Sequence, residues 1–213
     1  MFSTLHSGHK TAPRLHKVRL TLLRTAAAFK GFGVKTKPAP QQKKGQKTEQ
    51  VPIWERDRSM CPCSSGKSYM ECCQPYHEGG AVPTPEALMR ARFSAYVKED
   101  ADFLVATVHA ENPKREGSRT PDGELSSTMI EDIHATFRTV AWQRLKILDS
   151  KDGSDGEGIV QFSAYFKVVN QKGQRQKGNV LQCLHETSTF RRDSTDGAWK
   201  YLGGETNVTF ESR

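Results

Sequence analysis

The sequence predicts an α+β protein: a small cysteine-bearing module followed by a domain of helices packed on a curved antiparallel sheet. Three observations predict it. Four of the five cysteines fall within thirteen residues, Cys61 to Cys73. Three stretches between residues 84 and 139 place apolar side chains at helical spacing. From Trp142 onward, apolar and polar residues alternate in segments separated by glycine-containing turns.

Residues 1–50 read as a transit-like peptide and a disordered basic linker. They hold eleven of the 32 Lys and Arg but only one of the 24 Asp and Glu, Glu49, a net charge of +10. The other 21 bases and 23 acids leave residues 51–213 at −2, so the overall +8 is not a phosphate-binding footprint of the part that folds. Arg14, Lys17, Arg19, Arg24 and Lys30 alternate with Leu15, Val18, Leu22, Leu23, Ala26 and Phe29, as in the basic amphipathic helix of an organelle transit peptide. Lys35 to Lys47 is rich in Lys, Gln and Pro, the composition of a linker. The mean hydropathy of −0.68 agrees with a partly disordered chain. The alternative is a cytoplasmic protein with a solvated basic tail. No apolar run approaches the ~20 residues of a membrane span.

Residues 51–80 form the cysteine module. Cys61-Pro62-Cys63 and Cys72-Cys73 are separated by eight residues, enough for a loop to bring four sulfurs around one ion. Thiolates are soft donors, and Zn²⁺ accepts a tetrahedral sulfur shell without redox chemistry. Gly66 suits a left-handed turn. Disulfides are the competing reading, but a bridge between the adjacent Cys72 and Cys73 would be strained, as would one between Cys61 and Cys63. The fourth ligand is Cys73 or His77, four residues beyond it. A closed four-ligand shell implies a structural ion, because a catalytic zinc keeps one position for water. Trp54 is expected to pack against this module.

Residues 81–213 make the second domain. Thr84 caps a helix that Pro85 and Glu86 begin, with Met89, Phe93, Tyr96 and Val97 on its apolar face. A short helix follows near Asp102 to His109. Residues 111–124 are loop. A third helix spans about Ser127 to Thr139, with a capping box from Thr128 to Glu131. Strands are expected at Trp142–Leu148, Gly158–Asn170, Asn179–Arg191 and from Trp199. Gln171 to Gly178 is a polar hairpin tip. Phe93, Phe137, Phe162, Phe166 and Phe190 are expected to share one core.

Residues 61–73 closely resemble the SEC-C zinc motif, also found at the C-terminus of the SecA translocation ATPase, with Ser64 where the motif usually has glycine. The wider chain resembles the YchJ family, which joins a SEC-C motif to a nuclear transport factor 2-like (NTF2-like) domain. That resemblance runs from Cys61 to about Gly204. It is carried by Cys72-Cys73-x-Pro75-Tyr76, Leu88-Met89-Arg90-x-Arg92-Phe93, Asp100-Ala101-Asp102-Phe103-Leu104, Thr107-x-His109, Trp142, Glu186-x-Ser188-x-Phe190 and Gly197-x-Trp199-x-Tyr201-x-Gly203. It implies one structural zinc, protein partners and no settled enzymatic activity. A bacterial-type protein behind a transit-like extension implies a eukaryotic organelle, chloroplast ahead of mitochondrion.

A pocket between sheet and helices is the other place for chemistry. Its candidate residues are His109, Arg90, Arg92 and Glu186, the last on a strand face shared with Leu184 and Phe190. A histidine beside a carboxylate could serve as general acid and base; a structural ion pair is the plainer reading. His185 falls on the opposite strand face from Glu186, and Cys183 reads as a buried thiol. The balance favours a non-enzymatic, zinc-binding adaptor presenting Lys67 and Tyr69 to a protein partner. A small-molecule enzyme or ligand-binder is second. Nucleic-acid binding through the zinc knuckle is weaker still, for want of positive charge.

Overall fold

The computed structural model describes residues 52–153, 155–170 and 180–210, which lie in one compact unit spanning 48–213. The basic segment 1–50 and the tip 171–178 fall outside the described residues.

Two short helices flank the cysteines, α1 (Ile53–Arg56) and α2 (Gln74–His77). Then come α3 (Pro85–Lys98) and α4 (Ala101–Ala106). Thr84 accepts the Ala87 amide as the N-cap of α3, with Pro85 in the first turn. Glu99 turns the chain at φ +59°, and Asp100 immediately caps α4 through the Phe103 amide. The second helix therefore stops at Ala106, short of the expected His109. Beyond it, the main chain pairs with the last strand: Tyr201 N–H donates to Thr107 O and His109 N–H to Tyr201 O.

The expected loop 111–124 carries β1 (Ser118–Arg119), which pairs with β2 (Leu125–Ser127) just beyond it to form a small hairpin. Two- and three-residue strands carry too few residues for alternation to register. Helix α5 (Met129–Thr139) follows, with the Thr128/Glu131 capping box formed in both directions.

Four long antiparallel strands complete the domain: β3 (Val140–Asp152), β4 (Glu157–Val168), β5 (Gln182–Arg192) and β6 (Trp199–Phe210), ordered as an up-and-down meander. Register shifts between Trp142 and Arg144 and between Ile147 and Asp149 interrupt β3. Such bulges bend a strand and increase its twist. The core is Leu88, Met89 and Phe93 of α3 against Leu145, Val160, Phe162, Ala164, Phe190 and Trp199 of the sheet. Two expected core aromatics sit elsewhere. Phe137 stacks edge-on with Tyr96 in a second cluster beside α4, and half-buried Phe166 lies against Trp142.

Helix α3 is enclosed on two sides, which its single apolar stripe does not announce. Leu88, Met89 and Phe93 face the sheet, while the small residues Ala91, Ser94 and Ala95 are fully buried on other faces. Small side chains let the cysteine module and α4 approach the helix backbone closely. Among the described residues no helix is long and apolar enough to cross a membrane.

Candidate metal centre

The loop from Cys61 to Cys73 closes on itself through main-chain bonds. Cys61 N–H donates to Lys67 O at 2.9 Å, and Cys72 and Gln74 N–H both donate to Tyr69 O. Gly66 takes φ +79°, as expected, and Ser64 takes φ +61°, a left-handed conformation in which glycine is at home. This folding gathers the sulfurs of Cys61, Cys63, Cys72 and Cys73 within 4.8 Å of one another. A tetrahedral site with metal–sulfur bonds of ~2.3 Å has sulfurs about 3.8 Å apart. Cys63 and Cys72 are 3.5 Å apart and Cys72 and Cys73 3.8 Å. All five cysteines are free thiols, so the disulfide alternative is not adopted.

Three of the four sulfur-bearing residues are buried, at 0–1% exposure, with Cys72 half-buried. Hydroxyl groups lie against two sulfurs, Ser65 Oγ 3.2 Å from Cys72 and Ser94 Oγ 3.5 Å from Cys61. As donors to thiolates they would offset part of the negative charge, as would the Ser65 amide beside Cys63. In the thiol form the proton distribution is uneven. Hydrogen bonds from Cys61 and Cys73 hold the Cys63 thiol well below its usual range. The same contact with Cys63 pushes Cys61 up to about 11, and Cys73 is pushed up through its contacts with both.

One face of α3 holds the module in place. Arg90 Nη1 donates to Cys63 O at 3.3 Å while its Nε pairs with Glu86 at 2.8 Å. Ala91 and Ser94 pack beneath the cysteines, and the Lys98 ammonium sits 4.1 Å over the Tyr69 ring. Arg90 thus belongs to the metal centre, not to the pocket.

His77 does not join the sulfurs. Its Nε2 donates to Ala91 O at 2.9 Å, so its Nδ1 is the nitrogen that accepts the Tyr69 hydroxyl at 2.8 Å. Both ring nitrogens are occupied, and burial lowers its pKa, favouring the neutral ring. The fourth sulfur of the cluster comes from Cys73 instead. Tyr69, expected on the partner-facing surface, is tied inward by the same bond and covered by Lys98. Ser64, Gly66, Lys67, Met70 and Glu71 are the exposed residues of this loop, Met70 at 72%. Trp54 also departs from expectation. It lines a hollow with Tyr96, Phe137 and Trp142 of the second domain.

The pocket candidates separate. Arg92 and Glu186 line a common cavity with Tyr96 and Tyr201. His109 is buried at 6% exposure, but its Nδ1 accepts the Glu111 amide at 3.1 Å, and it does not line that cavity. The expected pairing of His109 with Glu186 is therefore not formed. The reason is that α4 ends early and the following chain runs along β6. Glu186 Oε1 instead accepts from Ser188 Oγ at 2.5 Å and from Tyr201 Oη at 3.1 Å. His185 lies on the other sheet face, between Ser163 and Thr209, as expected. Ser65, Ser188 and Tyr201 stand within the sequence motifs without a role read for them, and Ser94 stands outside the motifs altogether. The run of small residues Ala91, Ser94 and Ala95 in α3 was the available signal.

Comparison with known proteins agrees with this architecture. A family model described as "YchJ, middle NTF2-like domain" matches residues 84–204. A UPF0225 protein of Serratia proteamaculans is 38% identical over 147 residues, covering 68% of this chain and 82% of that protein. Another from Streptomyces coelicolor is 37% identical over 148 residues, covering 68% and 94%. The solution structure of a SEC-C motif containing protein from Rhodopseudomonas palustris superimposes with a TM-score of 0.53 at 31% identity, over 68% of this chain and 96% of that one. A SEC-C motif containing protein from Psychrobacter arcticus gives a TM-score of 0.50 at 27% identity, over 67% and 80%.

These relatives are bacterial, which overturns the expectation of a transit peptide and a eukaryotic organelle, since bacterial chains of this family have no organelle to be addressed to. The four-cysteine cluster, the NTF2-like sheet and helices, and the extent of identity lead to one conclusion: this chain belongs to the YchJ (UPF0225) family.

Proposed function

We propose that the chain is a non-enzymatic binding protein whose N-terminal module is locked by one structural Zn²⁺ on Cys61, Cys63, Cys72 and Cys73. The observation that carries this is the closed, largely buried set of four sulfurs. A bound zinc would supply a cross-link among the four thiolates and leave no coordination position for a substrate. The chain's own residues supply the rest. Ser65 and Ser94 lie against two sulfurs, and Arg90 and Ala91 fasten the loop to α3. A module of about thirty residues has too little apolar core to fold alone, so the ion and α3 replace that core. The pairing of His109 with Glu186 on which the enzymatic reading drew is not formed, which favours the binding reading.

The binding surface is the exposed part of the loop, Lys67, Met70 and Glu71, held rigid above the sulfurs. A protein partner suits it better than nucleic acid, because residues 51–213 carry a net charge of −2. Native mass and elemental analysis of the purified chain test the metal: one zinc per chain, lost in Cys72→Ser/Cys73→Ser, is expected, and a metal-free reduced chain would sink the reading. Lys67→Glu/Met70→Glu tests the surface. It should keep zinc and lose capture of a partner; undiminished capture would move docking elsewhere.

A further inference from the structure

The cavity of the second domain presents an unpaired cation and an unpaired acceptor to the same space. It consists of two adjoining hollows of about 310 Å³ each that share Arg92, Tyr96, Thr136, Glu186 and Tyr201 as lining. Arg92 is 94% buried, being only 6% exposed. Its Nη1 donates to Leu104 O at 2.8 Å and to Thr107 Oγ1 at 2.6 Å, and its guanidinium lies 4.8 Å over the Tyr201 ring. Nε and Nη2, the edge that suits a carboxylate, have no hydrogen-bond partner among the described residues, and no described carboxylate forms an ion pair with Arg92. Arg92 lines the cavity, and burial of the residue lowers its pKa while the nearby Glu186 charge acts the other way.

Glu186 completes the arrangement. Both of its hydrogen bonds fall on Oε1, from Ser188 and Tyr201, which leaves Oε2 without a partner among the described residues. Arg92 and Glu186 line one cavity yet do not pair with each other. A guest that carries a negative group and a positive group on neighbouring atoms would satisfy both at once. The remainder of the first hollow is walled by Met89, Phe93, Phe162 and Leu184, which calls for an apolar body.

We propose that this cavity binds a small zwitterion with an apolar tail, of the class of free apolar or aromatic amino acids. The carboxylate takes the open edge of Arg92, and the ammonium takes Glu186 Oε2. A simple carboxylic acid would meet Arg92 but leave Glu186 unpaired, and a simple amine would do the reverse. The proposal stands apart from the metal reading and concerns a different face of α3.

The test is calorimetric titration of the full, metal-loaded chain with L-leucine, L-methionine, L-phenylalanine and L-tryptophan, alongside 3-phenylpropanoate and phenethylamine. One-site saturable binding of at least one amino acid is expected, with the acid and the amine each weaker by roughly tenfold or more. Glu186→Gln keeps an acceptor for Ser188 and Tyr201, removes the charge, and should weaken the amino acid by a similar factor. Arg92→Lys keeps charge without the fork and should do the same. If Arg92→Lys fails to fold, Glu186→Gln decides alone. Absence of binding by all four amino acids, equal binding of 3-phenylpropanoate and phenylalanine, or an unchanged Glu186→Gln would each overturn the proposal. Chain metal content, measured on the same samples, keeps this result distinct from failure of the zinc reading.

Discussion

Ser64 Oγ accepts the backbone N–H of Leu145 at 3.2 Å, joining the cysteine loop to β3 across 81 positions of sequence. Ser64 does this from φ +61°, a conformation that costs a non-glycine residue about 1 kcal/mol or more. The side chain offsets that cost by satisfying an amide next to the β3 bulge. Serine at a position where the SEC-C motif usually has glycine is therefore a tether, not a defect.

Substitution at this position separates the two effects. Ser64→Ala keeps the strained backbone and leaves the Leu145 amide without its acceptor, so it should destabilise the chain by about 1–3 kcal/mol. Ser64→Gly relieves the strain while losing the bond and should lie within about 1 kcal/mol of the parent. Denaturant unfolding of the three zinc-loaded chains checks the order, and Ala as stable as Ser would remove the tether from the account.

Metal removal should be felt beyond the loop. Ala91 and Ser94 of α3 touch the cysteine cluster on one side, and the same helix sends Met89 and Phe93 into the sheet core on the other. Chelation, or Cys72→Ser/Cys73→Ser, is expected to cost several kcal/mol. Hydrogen exchange should then rise in residues 85–98 as well as in 59–80. Exchange confined to 59–80 would mean that α3 is held by the sheet alone.

His77 offers a pH test with a definite sign. Burial lowers its folded pKa below the ordinary 6.5, so the unfolded chain takes up the proton first as pH falls. The stabilisation is complete above about pH 6.5 and is lost as pH falls from there through the folded value. His77→Gln should retain one zinc per chain, lose about 1 kcal/mol at neutral pH, and show a shallower decline between pH 6.5 and 5. Acid loss of metal is common to both chains, so their difference isolates the imidazole. Loss of zinc at neutral pH in the glutamine variant would restore His77 as a ligand.

Gly158 of β4 lies under the first turn of α3. A Cβ there would come within 2.3 Å of Pro85 Cγ, 3.0 Å of Pro85 Cβ and 3.2 Å of Lys151 O. Gly158→Ala must push the helix off the strand and is expected to cost about 1–3 kcal/mol. Thermal melting checks it, with Gly197→Ala as a comparison: that turn has open space around it, so only the strain of its positive φ counts.

Short-range features were legible in the chain. The cysteine spacing pointed to a cluster of sulfurs, with Cys73 or His77 open as its fourth member, Thr84-Pro85 and the Thr128/Glu131 box marked two helix starts, and alternation marked the four long strands. The α+β class followed from their order, and its NTF2-like form from the resemblance to the YchJ family. Each of these signals is complete within a few residues, because caps, turns and periodicity are set by the local backbone. The hairpin at 118–127 was missed, since strands so short show no period.

Partner choice was decided by the tertiary structure. His77 could be a ligand by spacing, but its fate depends on the Ala91 carbonyl, fourteen residues away. His109 and Glu186 could share a pocket by composition, but the chain after α4 pairs with Tyr201 and turns the histidine aside. Arg92 and Glu186 meet one cavity without meeting each other. A sequence of 213 residues states what each side chain can do. Which of those capacities is met, and which is left open to a guest, depends on strand register and on how closely α3 is approached from its two sides.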